Sequence, residues 1–178
     1  MCWTRAGLMR RMALACGLIA LTGLCAPQPL LGQDTSSDDV RFRLGLGLLG
    51  GGATNLNVEL GGAAQLTVNQ GPHQGTLRLT LLGSAPSGQY NDELTNFAVL
   101  YGRSAASSRG FASISAGPGV VSARGRGGSG SSTVGVTALA EAGLHAKVVG
   151  ISLQAVGGLS SAASFVGLGI MLSVGRMG

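Results

Sequence analysis

The sequence predicts an all-β fold: a single closed up-and-down antiparallel β-barrel of about eight strands, preceded by a cleavable signal peptide. Three observations carry this expectation. Residues 133–148 place Val134, Val136, Ala138, Ala140, Ala142, Leu144, Ala146 and Val148 at every even position, against Thr133, Gly135, Thr137, Leu139, Glu141, Gly143, His145 and Lys147 at the odd ones. Side chains alternate faces along a strand, so this run is one long strand with an apolar face and a mostly polar or small one. The same alternation recurs through the chain, interrupted by Gly-, Pro- and Asn-bearing turns, as expected for strands joined in sequence. Finally, 32 glycines and only 11% charged residues in a chain of 178 depart from a soluble domain, while a 45% hydrophobic share excludes disorder.

The N-terminus is a separate object. Arg5, Arg10 and Arg11 precede an apolar run over 12–24 that is short for a membrane-spanning helix and reads as an export signal. Cleavage fits after Cys25 or after Gly32; Pro27 and Pro29 crowd the first point, so the second is preferred. The chain then divides into a signal peptide (1–32), a flexible polar lead-in (33–39, QDTSSDD) and a barrel domain (40–178). Cys2, Cys16 and Cys25 all fall in the leader, so no disulfide is expected beyond it. The leader also holds three of the twelve basic residues and none of the seven acidic ones. Nine against seven remain, a net charge of +2 with no basic stripe, and nucleic acid is not an expected partner.

Taken in order, Val40, Phe42, Leu44, Leu46 and Leu48 alternate with Arg41, Arg43, Gly45 and Gly47, and Gly50-Gly51-Gly52 is read as the turn. The second strand runs over 55–68, with Leu56, Val58, Leu60, Ala64, Leu66 and Val68 opposite Asn55, Asn57, Glu59, Gln65 and Thr67. Residues 69–75 (NQGPHQG) are turn chemistry, followed by Leu77, Leu79 and Leu81 against Thr76, Arg78 and Thr80. After a polar loop over 84–93, the strand over 94–103 has indistinct faces and its register stays open. In 111–121, Ala112, Ile114, Ala116 and Val120 oppose Ser113, Ser115, Gly117 and Gly119; Pro118 cannot donate a ladder hydrogen bond and suggests a bulge or strand end. Residues 122–132 (SARGRGGSGSS) form a low-complexity loop. A tight turn at Val149-Gly150 then pairs Val148 with Ile151, and after a loop over 157–164 the last strand covers 165–175. The uncharged stretch 148–175 also admits a hydrophobic helix, but strict alternation on both sides of Gly157-Gly158 prefers a hairpin.

Which face meets water decides the setting. A solvent-facing sheet carries abundant Lys and Glu, whereas the non-apolar face here is largely Gly, Ser and Thr. In a transmembrane barrel the apolar belt faces lipid and the polar face is enclosed. Charge placement agrees, since Arg41, Arg43, Glu59, Arg78, Glu141, His145 and Lys147 all oppose the apolar face. A Lys or Arg on the lipid face at mid-membrane costs roughly 2–4 kcal/mol, so these charges specify register. An eight-stranded barrel has just room for side chains inside. Arg41, Arg43 and Arg78 are therefore expected to pair with Glu59 and Glu141 in an enclosed network that also holds His145 and Lys147, plugging the lumen.

The runs Leu100-Tyr101-Gly102-Arg103, Ser115-Ala116-Gly117-Pro118-Gly119 and Ser164-Phe165-Val166-Gly167-Leu168 resemble small bacterial outer-membrane β-barrel proteins. The resemblance implies residence in the outer membrane, lipid and the outer-membrane assembly machinery as partners, and a monomer. The favoured role is structural or adhesive, with loops presented outside a plugged barrel. One alternative is a lipid-modifying enzyme using His145, four residues beyond Glu141 on the same face; another is a soluble periplasmic calycin-like barrel with an apolar ligand inside. No Ser, His and acid stand in a recognisable catalytic motif, and no spacing suggests a metal or cofactor site. Arg124 and Arg126 are possible contacts to lipid headgroups if their loop is external.

Overall fold

The computed structural model describes residues 40–84, 92–125 and 130–176. Eight strands follow one another: β1 (Arg41–Ala53), β2 (Leu60–Gln70), β3 (His73–Gly83), β4 (Glu93–Ala106), β5 (Gly110–Arg124), β6 (Gly130–Ala146), β7 (Val149–Leu159) and β8 (Phe165–Gly175). Each pairs antiparallel with the next, and β1 closes onto β8 through pairs from Arg43↔Gly175 to Ala53↔Phe165. Closure leaves no unpaired edge. Among the described residues there is no helix long and apolar enough to cross a membrane, which says nothing about crossing by strands.

The alternation sorts the faces as expected. Leu44, Leu46, Leu48, Leu77, Leu81, Val134, Val136, Leu153, Leu168, Ile170 and Leu172 point outward and are exposed, while Arg43, Gln65, Thr67, Thr76, Arg78, Thr80, Thr137, Glu141, Ser152, Gln154 and Ser173 are buried inside. Val136 is 59% exposed, Leu60 57% and Ile170 52%, which removes the calycin-like arrangement, because its apolar residues would have to fill the centre. The open register of β4 is settled: Phe97, Val99 and Tyr101 face out, and Leu94, Asn96, Ala98 and Leu100 face in.

Several connections differ from the sequence reading. Gly50-Gly51-Gly52 lies inside β1, paired with Leu168, Gly167 and Val166 of β8; in a closed sheet, neighbours on both sides supply the order that glycine lacks. Residues 55–59 belong to the loop before β2. The turn expected over 69–75 contracts to Gly71-Pro72, with Gln70 facing His73 and Gly71 at φ +57°, a conformation that suits glycine. Pro118 neither bulges nor ends β5, since the pairs Ala98↔Gly119 and Tyr101↔Ala116 keep one register across it. The turn after β6 is Lys147-Val148, two residues earlier than predicted, with Ala146 facing Val149.

The two ends of the barrel differ in the length of their connections. The connections β2–β3, β4–β5 and β6–β7 span only 71–72, 107–109 and 147–148, and the first and last strands begin and finish at that end. The other four connections are longer. Outer-membrane barrels share this asymmetry, with short periplasmic turns and longer external loops. Inside, Leu49, Ala53, Val58, Leu82, Leu94, Val121, Val156 and Phe165 form an apolar layer toward the long-loop end, above the polar residues.

Candidate functional site

The chemistry-bearing side chains converge in the lumen. Arg43 projects inward from β1 and Glu141 from β6; Arg43 Nη2 lies 2.6 Å from Glu141 Oε2, with both side chains buried. Glu141 also accepts from Gln65 Nε2 at 3.1 Å and from Ser152 Oγ at 2.6 Å. Arg78 on β3 is fully buried; its Nη1 donates to Gln65 Oε1 and Gln154 Oε1, each at 2.7 Å, and its Nε to Thr80 Oγ1 at 3.1 Å. Gln154 Nε2 donates back to Gln65 Oε1 at 3.2 Å and contacts Met171 Sδ at 3.1 Å. The chain Arg78–Gln65–Glu141–Arg43 thus ties the consecutive strands β1, β2 and β3 to β6 across the lumen. The guanidinium of Arg43 also sits 4.2 Å over the Phe111 ring, a cation–π contact.

Of the other predicted members, His145 is buried but separate. Its Nε2 donates to the Ser107 carbonyl at 3.2 Å, its ring tilts against Phe111, and both Glu141 oxygens are occupied elsewhere. Glu141 and His145 are therefore not assembled as base and orienter. Glu59 is exposed in the β1–β2 loop, where only its backbone bonds to Gly51 and Gly83. Its predicted place in the lumen fails because the strand starts one residue later. Lys147 stands exposed in the β6–β7 turn at φ +53°, outside the barrel interior for the same kind of reason. Arg41 opens β1 opposite Asn69, half-exposed at the short-turn rim. Arg124 is exposed on the outward face, in register with Glu93, in a shallow groove shared with Thr95, Ser122 and Ser132. Arg126 lies outside the described residues.

Gln65, Ser152 and Gln154 complete the network and were not singled out from the sequence. The signal existed: each sits on the inward parity of a clean alternation, as in Ile151-Ser152-Leu153-Gln154. The apolar layer was signalled as well, by the doublets Leu48-Leu49, Leu81-Leu82 and Val120-Val121, where both faces of the strand turn apolar together.

No protein-family model and no curated protein matches the chain. Among solved structures it is similar to Neisserial surface protein A (NspA), at 9% identity over 76% of this chain and 96% of that one, with a TM-score of 0.60. It is also similar to Ail, the attachment invasion locus protein of Yersinia pestis, solved with the heparin analogue sucrose octasulfate, at 12% identity over 78% and 99% of the two chains and a TM-score of 0.52. A second structure of Ail gives 13% identity, 77% and 97% coverage and a TM-score of 0.50. The chain has the fold of these small bacterial outer-membrane β-barrel proteins, an eight-stranded closed antiparallel barrel.

Proposed function

We propose that this chain is an integral protein of the bacterial outer membrane whose barrel is sealed and whose role is to hold and present its external end, not to conduct. The observation that carries this reading is the Arg43–Glu141 pair bridging the lumen, braced by Gln65 and Ser152. Leu49, Leu82, Leu94, Val121, Val156 and Phe165 support it from above, since an apolar layer across the only axial path would oppose the passage of ions. The exposed belt of Leu, Val and Ile supports the membrane setting, because an apolar surface of that extent is unsuited to water.

Beyond the belt, β4, β5 and β6 continue with polar outward residues. Val120 and Val134 give way to Ser122 and Ser132, and Phe97 to Thr95 and Glu93. This extension stands clear of the lipid zone and offers a polar surface for contact outside the cell. Purified protein in planar bilayers is expected to show no stepwise conductance, whereas Arg43→Ala combined with Glu141→Ala and Phe165→Ala opens a leak. Steady channels in the unaltered protein would overturn the sealed-barrel reading.

A further inference from the structure

Surface charge is divided between the ends of the barrel. Among the described residues, the exposed acids Glu59 and Glu93 and the buried Asp92 lie at the long-loop end, where exposed Arg124 is the only described cation. The short-turn end carries Arg41, Arg103, Arg109 and Lys147, together with Arg176, which is engaged within the protein, and no described acid. These cations do not form one patch. Arg41 starts β1, Arg103 and Arg109 flank the β4–β5 turn, and Lys147 sits in the β6–β7 turn, so they are spread around the rim.

They also lie directly beyond the outward apolar belt. Arg41 adjoins exposed Phe42, and Lys147 adjoins exposed Val148 and Val149. Arg103 follows two residues after Tyr101 on the same outward face, where the Tyr101 hydroxyl is 2.6 Å from His73 Nδ1. A protein partner would be met by a localised surface. A circumferential ring at the edge of an apolar belt is instead met by the layer of headgroups surrounding the barrel.

We propose that this rim selects anionic phospholipids, binding their phosphodiester headgroups in the leaflet at the short-turn end through Arg41, Arg103, Arg109 and Lys147. This rests on the membrane setting above but not on the sealed lumen. A lysine or arginine held near an anionic membrane surface favours the charged lipid by about fivefold. Residues 33–39 precede β1 in the sequence and include Asp34, Asp38 and Asp39, so the chain's own carboxylates are the competing occupant.

The test is electron spin resonance on the protein reconstituted in phosphatidylcholine, comparing the motionally restricted fractions of spin-labelled phosphatidylglycerol and phosphatidylcholine. Restriction of the phosphatidylcholine probe reports that the barrel is lipid-embedded; the ratio of the two probes reports the proposal. The ratio is expected to be about fivefold or more, and to fall to about one in Arg41→Gln/Arg103→Gln/Arg109→Gln/Lys147→Asn, where asparagine at 147 tolerates the positive φ. Folding of the variant is checked by an unchanged heat-dependent gel shift. A ratio of one in the unaltered protein, or a preference that survives the quadruple variant, overturns the proposal. So does a preference that emerges only in Asp34→Asn/Asp38→Asn/Asp39→Asn, which would assign the rim to the lead-in.

Discussion

Glu141→Gln removes the one carboxylate among the described residues that faces Arg43 in the lumen, while keeping its shape. Glu141 accepts from Arg43, Gln65 and Ser152, and the glutamine amide would turn an N–H toward one of these donors. Arg43 and fully buried Arg78 would then remain inside with no anion between them. Stranding a buried charge by removing its partner costs about 3–5 kcal/mol, against roughly 0–1 kcal/mol for a solvated pair. The variant is thus expected to lose about 3 kcal/mol or more in equilibrium urea unfolding, read by circular dichroism in lipid vesicles. Arg43→Met should cost a similar amount, and the double variant Arg43→Met/Glu141→Met much less than the sum, with a coupling energy of about 2 kcal/mol. Losses within about 1 kcal/mol for both single variants would mean that water screens the pair, and the reasoning for a dry, sealed lumen would be refuted.

Other substitutions probe the wall. Ile170→Lys, at mid-height of the outward face, should destabilise by about 2–4 kcal/mol in bilayers, with urea midpoints against Ile170→Leu as the check. Gly102→Ala places a methyl group 2.0 Å from the Ile114 carbonyl oxygen and should sharply reduce folded yield, whereas Gly75→Ala meets nothing within 4 Å and should fold normally; the heat-shifted gel band separates the two. Lys147→Gly relieves a left-handed backbone at φ +53° and should raise stability by about 0.5–1 kcal/mol in the same urea titration.

Alternation alone revealed which residues of each clear strand face lipid, because the period of two leaves no intermediate choice. Arg43, Arg78 and Glu141 were legible as lumenal for that reason. What alternation does not encode is where a strand stops. Glu59 and Lys147 keep the inward parity, yet one precedes its strand and the other occupies a turn. The β6–β7 turn shows why: any two-residue turn pairs an even with an odd position, so moving it from 149–150 to 147–148 leaves every face unchanged. In the observed register Gly150 is spent opposite His145 inside the barrel, where a small residue gives the imidazole room, instead of in the turn. Val58 likewise reaches the apolar layer from a loop, through a path that no strand period describes.

Arg43 and Glu141 are separated by 98 positions in sequence, and Gln65 and Gln154 by 89. A half-built sheet would therefore carry a guanidinium from its beginning into hydrocarbon long before the carboxylate near its end had been placed. Neither half of the wall is a viable membrane species on its own. Joining of the first and last strands and neutralisation of the lumen must be achieved together, which makes insertion an all-or-none event whose latch lies across the bore and not along the seam.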